Sequence, residues 1–212
     1  MPDAPPSLGR PAYRVETPRL VVRCYHPADA PLLNEAIADS LEHLRAWMPW
    51  AMHEPVSVEE KAELLRRFRS DFDGDRDYVY GIFSANEARV LGGTGLHRRP
   101  GGDALEIGYW IRADQQGRGL MTEAAGALVR AGFEVMRASR IEIHCDPDNA
   151  RSSAVARRLG FTHDGTLRRR TTTPQGGPRD DMIWSLFPDE YPASPAARME
   201  VRAFDVLGRR VL

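Results

Sequence analysis

The chain has very little lysine. Lys61 is its only one, so arginine carries nearly all of the positive charge. Acidic and basic residues almost cancel, and the formal net charge of −1 favours neither nucleic acid nor an anionic membrane as a partner. No apolar run approaches the roughly 20 residues of a transmembrane helix. The proline-rich N-terminus has no apolar stretch typical of a signal peptide. We therefore expect a cytoplasmic protein.

Cysteine is equally scarce, and no metal-binding pattern is present. Cys24 and Cys145 lie in strand-like runs and form no C-x-x-C pair. This favours buried thiols in a reducing compartment over a disulfide or a nucleophile. The two cysteines and six histidines show no metal-ligand spacing, so we expect no metal.

The length of 212 residues and the 42% hydrophobic content suit a single domain with a sizeable core. Residues 1–11 are rich in proline and are predicted to form a flexible tail. Residues 12–187 are predicted to form the domain, and 188–212 an extension of unknown role. The extension begins as a Pro/Ala-rich, linker-like stretch and turns strand-like after 199. It could add an edge strand, a loose tail or a dimer contact, so a homodimer is possible.

Hydrophobic periodicity predicts an α/β (α+β) fold with about seven strands. The predicted strands are 17–25, 78–84, 90–97, 105–111, 140–145, 162–170 and 181–186. The predicted helices are 30–40, 57–71, 120–135 and 149–159. Hairpins joined to a strand–loop–helix unit imply a mixed, mostly antiparallel sheet. A right-handed crossover should make the fourth and fifth strands parallel neighbours.

A glycine-punctuated loop follows the fourth predicted strand and leads into a helix. Gly117 and Gly119 flank Arg118 in this loop. Unpaired N–H groups of a first helical turn and the helix dipole favour an anion there. A P-loop would need Gly-Lys-Ser/Thr at its end, where Gly119-Leu120-Met121 stands. A Rossmann fingerprint would need a third small residue at Thr122, and a turn without a ligand is a further alternative.

A second motif comes one helix and one strand later. It reads Asn149-x-x-Ser152 and is followed by Leu159-Gly160-Phe161. On its own, this motif fits a capped helix, with Asp148 or Asn149 as the N-cap. The order of the two motifs nevertheless resembles the GNAT (Gcn5-related N-acetyltransferase) superfamily, in particular the ribosomal-protein alanine N-acetyltransferases (RimJ/RimL-like). The resemblance covers roughly residues 16–186.

The resemblance implies a fold, a co-substrate and its binding residues. It implies a V-shaped split between the fourth and fifth strands, where the pantetheine arm of acetyl-CoA pairs with a strand edge. It implies direct transfer of an acetyl group from the thioester to a primary amine. The residues that it assigns to acetyl-CoA are Trp110, Ile111, Gln116, Gly117, Arg118, Gly119, Leu120, Met121, Thr122, Asn149 and Ser152.

Catalytic roles are also carried over from the family. Glu106 occupies the position of a general-base glutamate, although a solvent-facing strand residue or an arginine partner is the alternative. Ser152 is the expected proton donor to the thiolate, with Tyr109 as the second candidate. A backbone N–H near residues 109–111 would stabilise the oxyanion.

The acceptor is expected to be an α-amino group of a protein or peptide N-terminus or of an aminoacyl compound. Trp47 and Trp50, on either side of Pro49, form an aromatic wall or belong to the core. His97 and Asp181 are further candidate acceptor contacts. A protein that senses acyl-CoA without turnover, and an acetyltransferase for polyamines or drug-like amines, are the alternatives.

One position departs from the wider family pattern. Asp114 stands where Gln or Arg is common, three residues before the first glycine. An acidic side chain there could weaken pyrophosphate binding unless Arg118 offsets its charge.

Overall fold

Nine strands in one sheet organise the chain in the computed structural model, which describes residues 8–212. The strands are β1 Arg14–Glu16, β2 Leu20–Cys24, β3 Tyr78–Ser84, β4 Val90–His97, β5 Ala104–Ile111, β6 Arg140–Cys145, β7 Thr162–Thr172, β8 Pro178–Leu186 and β9 Arg202–Phe204. The helices are α1 Ala30–Ala38, α2 Leu41–Arg45, α3 Val58–Asp73, α4 Leu120–Arg130 and α5 Ala150–Leu159.

The sheet has the order β7-β8-β6-β5-β4-β3-β2-β1-β9, and among these described strands only β5 and β6 pair in parallel. The predicted mixed, mostly antiparallel sheet is confirmed. The count of about seven strands was slightly low, because β1 and β9 have three residues each, too few for a visible alternation.

The parallel pair opens into the predicted split. Its register ends at the pair Glu106–Glu142, although β5 continues to Ile111 and β6 to Cys145. Beyond that pair, alternate backbone groups of β5 face an opening instead of a neighbouring strand. The split is therefore the place where a ligand with peptide-like groups can pair with β5.

Two core clusters cover the two faces of the sheet. Along β2, Val22 belongs to the cluster that packs on α4, whereas Val21 belongs to the cluster with α1 and α3. Side chains alternate between the faces of a strand, which explains this division.

The capping box that begins α3 was predicted and is present, with Ser57 and Glu60 bonded to each other's backbone N–H groups. Gly160 ends α5 at φ 90°, as the glycine C-cap predicted.

The chain after β8 is packed and not linker-like. Tyr191 and Ala196 are buried in two short 3₁₀ turns, and the Tyr191 ring lies 4.8 Å from that of Phe133. Arg130 Nη1 donates to the Met199 carbonyl at 2.7 Å, so the extension is bound to α4. β9 then pairs with β1 at the edge of the sheet. The linker-like expectation was wrong because this segment is held by a few buried apolar residues. Such residues do not form the periodic pattern that indicates a packed element in a sequence.

The predicted N-terminal tail is only partly within the described residues. Residues 1–7 lie outside them. Gly9 N donates to the Met136 carbonyl at 2.6 Å, and Leu8 N donates to Asp103 Oδ1 at 3.1 Å. The chain is therefore docked from residue 8 onward.

Candidate active site

A cavity of about 2140 Å³ follows the split between β5 and β6. It exceeds the roughly 300–1,000 Å³ of an ordinary ligand pocket, and it has room for two substrates. Every residue that the sequence pointed to as a site residue lines this cavity, although their individual roles remain predictions. These residues are Trp47, Trp50, His97, Glu106, Tyr109, Trp110, Ile111, Gln116, Gly117, Arg118, Gly119, Leu120, Met121, Thr122, Asn149, Ser152 and Asp181.

The glycine loop has the geometry of an anion site. Gly117 and Gly119 have φ values of 73° and 76°, a region that residues with a Cβ rarely adopt. Gly119 is the N-cap of α4 and has no side chain to bond the first-turn N–H groups. Those N–H groups therefore remain able to bind a ligand in the cavity. Arg118 and Arg151 line the same cavity, and Arg151 also bonds the side chain of Gln116.

Asp114 is paired with two arginines outside the glycine loop. Its carboxylate accepts hydrogen bonds from Arg112 Nε at 3.0 Å and from Arg89 Nη2 at 3.2 Å. The hydrogen bond from Arg112 is the main reason that the pKa of Asp114 is lowered to about 2. Arg112 and Arg89, and not Arg118, are the arginine partners of Asp114 among residues 8–212.

The first turn of α4 is fixed from the N-terminal part of the chain. Glu123 Oε1 accepts from Thr17 Oγ1 at 2.6 Å, and Glu123 Oε2 accepts from Arg19 Nε at 2.6 Å. Arg19 Nη1 also donates to the Arg118 carbonyl at 3.1 Å. The Thr-Pro-Arg-Leu sequence before β2 thus holds the glycine loop in place, a role that no local pattern indicates.

The start of α5 brings two candidate proton donors together. Asn149 Oδ1 caps the helix by accepting from Ser152 N at 3.1 Å. This cap uses the side-chain carbonyl, so the amide NH₂ group can still donate to a ligand. The Ser152 hydroxyl lies 3.0 Å from the Tyr109 hydroxyl. Burial raises the pKa of the Tyr109 phenol above its ordinary value, which keeps its proton in place.

Glu106 is buried, with 9% of its surface exposed, at the point where β5 and β6 part. Its Oε1 atom accepts from Arg99 Nη1 at 2.7 Å, and its Oε2 atom lies 3.9 Å from His144 Nδ1. Glu106 therefore has an arginine partner, as one alternative from the sequence stated, and it also lines the cavity. Its role as a general base stays a prediction.

His144 joins three carboxylates in this part of the cavity. Its Nε2 atom lies 2.7 Å from Glu142 Oε2, and its Nδ1 atom lies 3.4 Å from Asp181 Oδ2. Burial alone would lower the pKa of His144, but Asp181, Glu106 and Glu142 outweigh it and raise the pKa to about 9. The imidazole is therefore protonated at neutral pH and neutralises part of the carboxylate charge.

The remaining candidate acceptor contacts are Trp47 and Trp50 in the aromatic segment, residues 47–50, and His97 at the end of β4. The Trp50 ring packs edge-to-face on Trp110 at 5.9 Å between centroids. Lys61 is 1% exposed and is paired with Glu54, which follows this segment. His97 Nδ1 lies 2.8 Å from Asp77 Oδ1. Trp47 and Trp50 both line the cavity, and neither belongs to the two core clusters, so the alternative that they are core residues was wrong.

Sequence reasoning missed the partners of Glu106. Arg99 lies in a turn, where a single arginine carries no pattern. Glu142 and His144 are spaced by two in a strand, which places them on one face. Glu142 pairs with Glu106 in the parallel register, which puts that face beside Glu106, so the spacing of Glu142 and His144 was the signal that could have found them.

Two further classes of feature do not occur among residues 8–212. No group of three or more His, Cys, Asp or Glu side chains could hold a metal ion. No helix in this part of the chain is long and apolar enough to cross a membrane. Cys24 and Cys145 are free and buried, as their strand positions predicted.

Comparisons with known proteins agree with this geometry. Residues 19–162 match the acetyltransferase (GNAT) domain family. The ribosomal protein uS5-alanine N-acetyltransferase of Escherichia coli (strain K12) is 29% identical over 160 residues, which cover 73% of this chain and 81% of the relative.

Solved structures show the same fold. A ribosomal-protein-alanine acetyltransferase from Vibrio fischeri superposes with a TM-score of 0.73 at 21% identity, covering 84% of this chain and 98% of that one. RimL, a ribosomal α-N-protein acetyltransferase in complex with coenzyme A, superposes with a TM-score of 0.73 at 24% identity, covering 82% and 97%. The resemblance found in the sequence is confirmed: the chain belongs to the GNAT acetyltransferase family.

Proposed function

We propose that this protein is a cytoplasmic N-acetyltransferase that transfers an acetyl group from acetyl-CoA directly to an α-amino group at the N-terminus of a protein or peptide. The observation that carries the proposal is the common cavity. It joins the glycine loop at α4, the unpaired edge of β5 and the carboxylate of Glu106. Membership of the GNAT family and the named activity of the Escherichia coli relative support the reaction and the acceptor class.

The chain's residues fit acetyl-CoA along the whole cavity. The first-turn N–H groups of α4 and the side chains of Arg118 and Arg151 would hold its phosphates. The β5 edge at residues 107–111 would pair with the pantetheine amides, and a backbone N–H there would bind the oxyanion. Asn149 would donate its NH₂ group to a pantetheine carbonyl.

Two proton transfers accompany the acetyl transfer. The amine nitrogen forms a bond to the acetyl carbon, the carbon–sulfur bond breaks, and the amine loses a proton. Glu106 is the base in this proposal, either directly or through a water molecule. The Ser152 hydroxyl, bonded to Tyr109, donates a proton to the leaving thiolate and regains one from solvent, and Glu106 releases its proton to solvent. His144 and Arg99 hold the Glu106 carboxylate in position.

The charges around the acceptor end favour an α-amine over a polyamine. A polyamine would need carboxylates that are free to bind several ammonium groups. Glu54 is instead paired with Lys61, and Asp181 is in contact with His144. An α-amine has an ordinary pKa of about 8, so it is easier to deprotonate than a lysine at about 10.4. Trp47 and Trp50 would contact the side chain of the first residue of the acceptor.

The assignment of acetyl-CoA as the acetyl donor, bound at the glycine loop, can be tested by thermal unfolding. Acetyl-CoA at about 100 times its dissociation constant should stabilise the protein by about 2.7 kcal/mol. Gly119→Val should abolish this stabilisation, because a β-branched residue disfavours φ 76° and obstructs the loop. Gly101→Val is the matched control, since Gly101 has φ 82° and does not line the cavity. An equal response of both variants to acetyl-CoA would contradict the loop assignment.

Release of free thiol from acetyl-CoA tests turnover and separates an enzyme from a sensor of acyl-CoA. A screen of peptides, aminoacyl compounds and polyamines, read by mass spectrometry, identifies the acceptor class. Acetylation of peptide N-termini is the expected result. Acetylation of polyamines alone would contradict the acceptor, and binding of acetyl-CoA without thiol release by any acceptor would favour the sensor.

A further inference from the structure

Three consecutive arginines form a bulge in β7, at one outer edge of the sheet. We call residues 168–170 the arginine bulge. In the register between β7 and β8, Leu167 pairs with Asp181 and Thr171 pairs with Arg179. Three residues of β7 therefore lie opposite a single residue of β8. Bulges of this kind change the direction of side chains and are frequent beside active sites.

The bulge directs positive charge to the solvent. All three arginines are exposed. Within residues 8–212 their guanidinium groups form no ion pair, whereas Arg99 and Arg112 are bound by carboxylates. Among the described residues, the only carboxylate bonded to the bulge is that of Asp180, and it accepts from the backbone N–H of Arg169 at 2.8 Å.

The backbone of the bulge is in an unfavourable conformation. Arg169 has φ 53°, in the left-handed region that residues with a Cβ seldom adopt. A glycine at this position would be conformationally easier, so the arginine side chain is present despite the local backbone preference. Strained residues of this kind cluster at functional sites.

The bulge lies beside the acceptor end of the cavity. Next to the bulge in the β7–β8 pair, Thr171 and Arg179 line the cavity. Arg179 Nη1 donates to the Trp47 carbonyl at 3.4 Å, which connects β8 to the aromatic segment, residues 47–50. A polypeptide whose N-terminus entered the cavity would extend by about 3.3 Å per residue, so its next few residues could reach the bulge.

We propose that the arginine bulge binds carboxylates of the polypeptide segment that follows the acetylated α-amino group, so that the enzyme prefers acceptors with acidic residues shortly after their N-terminus. This inference rests on the proposed function. A polypeptide fits better than RNA, because β7 carries no Phe, Tyr or Trp on which bases could stack. Arginine also binds carboxylates in a bidentate geometry.

The test compares two peptides that share their first three residues and continue with either three glutamates or three glutamines. Binding to the protein saturated with coenzyme A is measured by calorimetry, so the result does not depend on turnover. The first variant replaces Arg168, Arg169 and Arg170 with Gln. The matched control replaces three exposed arginines that do not line the cavity with Gln and loses the same charge; these are Arg137, Arg209 and Arg210.

The unmodified protein should bind the glutamate peptide about tenfold more tightly than the glutamine peptide, since each exposed ion pair contributes modestly. The bulge variant should lose this preference and the control should keep it. The preference should decrease above about 0.15 M salt, where the Debye length falls below about 8 Å. Arg169→Gly is a second variant that suits the left-handed backbone, and it should weaken the preference without loss of folding.

Equal binding of the two peptides by the unmodified protein would overturn the inference, as would an equal loss in the bulge and control variants. Displacement of the glutamate peptide by a single-stranded RNA of equal charge at lower concentration would overturn the assignment to a polypeptide. If the glutamate preference is present but neither peptide is acetylated, the proposed peptide N-acetylation fails and the arginine bulge is still a carboxylate site.

Discussion

Glu106 is the residue on which the proposed chemistry depends most. It lies at the last parallel pair of β5 and β6, where the cavity begins, and its two oxygens face Arg99 and His144. A base held between two cationic groups has a fixed position, and position is a requirement for proton transfer. This arrangement is specific to the fold, because Arg99 and His144 come from different parts of the chain.

Replacement of Glu106 by Gln should lower turnover by roughly 10²- to 10⁴-fold, because the amide cannot accept the proton. Ser152→Ala should have a smaller effect of roughly tenfold, since solvent can protonate the thiolate. Steady-state kinetics with a peptide acceptor measures both. Stabilisation by acetyl-CoA should be unchanged in Glu106→Gln.

Glu142→Gln serves as the comparison for Glu106→Gln, because Glu142 pairs with Glu106 in the sheet and contacts the same histidine. It should retain more activity than Glu106→Gln. Near-full activity of Glu106→Gln, with an unchanged pH profile, would place the base elsewhere.

At the scale of the elements, α4 connects the cofactor loop to the rest of the molecule. Its first turn is fixed by Glu123 and Arg19, and its outer face is covered by the segment that follows β8. Gly126 lies at this contact. A Cβ built on Gly126 would lie 2.0 Å from Met199 Sδ and 2.9 Å from Leu159 Cδ2.

Gly126→Ala should therefore destabilise the protein, by about 1–3 kcal/mol of overpacking. In an uncrowded helix the same substitution would instead stabilise the protein, because alanine is more favourable than glycine there by roughly 0.5–1 kcal/mol. The double variant with Met199→Ala relieves the closest contact and should recover part of the loss. Denaturant unfolding measures all three, and a stabilised Gly126→Ala would contradict the packing of the extension on α4.

At the scale of the whole molecule, the carboxylates around His144 make folding stability depend on pH. The pKa of His144 is about 9 in the folded protein and about 6.5 in an unfolded chain. The folded state therefore binds more protons between these values. The stabilisation is fully present below about pH 6.5 and is lost as the pH rises through about 9.

His144→Gln should be less stable than the unmodified protein at pH 6.5, and the difference should shrink toward pH 9. The slope of the difference is at most about 1.4 kcal/mol per pH unit, since one proton is involved. Urea unfolding at several pH values measures it. The difference between the unfolding free energies of the two proteins excludes the contributions of the other histidines. A difference that stays constant across this pH range would contradict the raised pKa of His144.

The sequence by itself determined the central strand, the glycine loop, the helix after it and the second motif at Asn149 and Ser152. These features are local: alternation, positive φ at glycine and helix capping depend on residues close in the chain. These local features were sufficient to predict the family and to identify residues that line the cavity. The bounds of β3, β4 and β6 were also predicted correctly.

Only the tertiary structure decided which charges meet. His144 reaches Glu106 through strand register and Arg99 reaches it from the turn after β4. Arg112 and Arg89 hold Asp114, and the Thr17–Glu123 bond spans 106 positions of sequence. The two three-residue strands and the packed extension after β8 likewise depend on contacts with distant elements. Periodicity describes what a segment buries, but the partner of a charged side chain depends on which segments the fold places side by side.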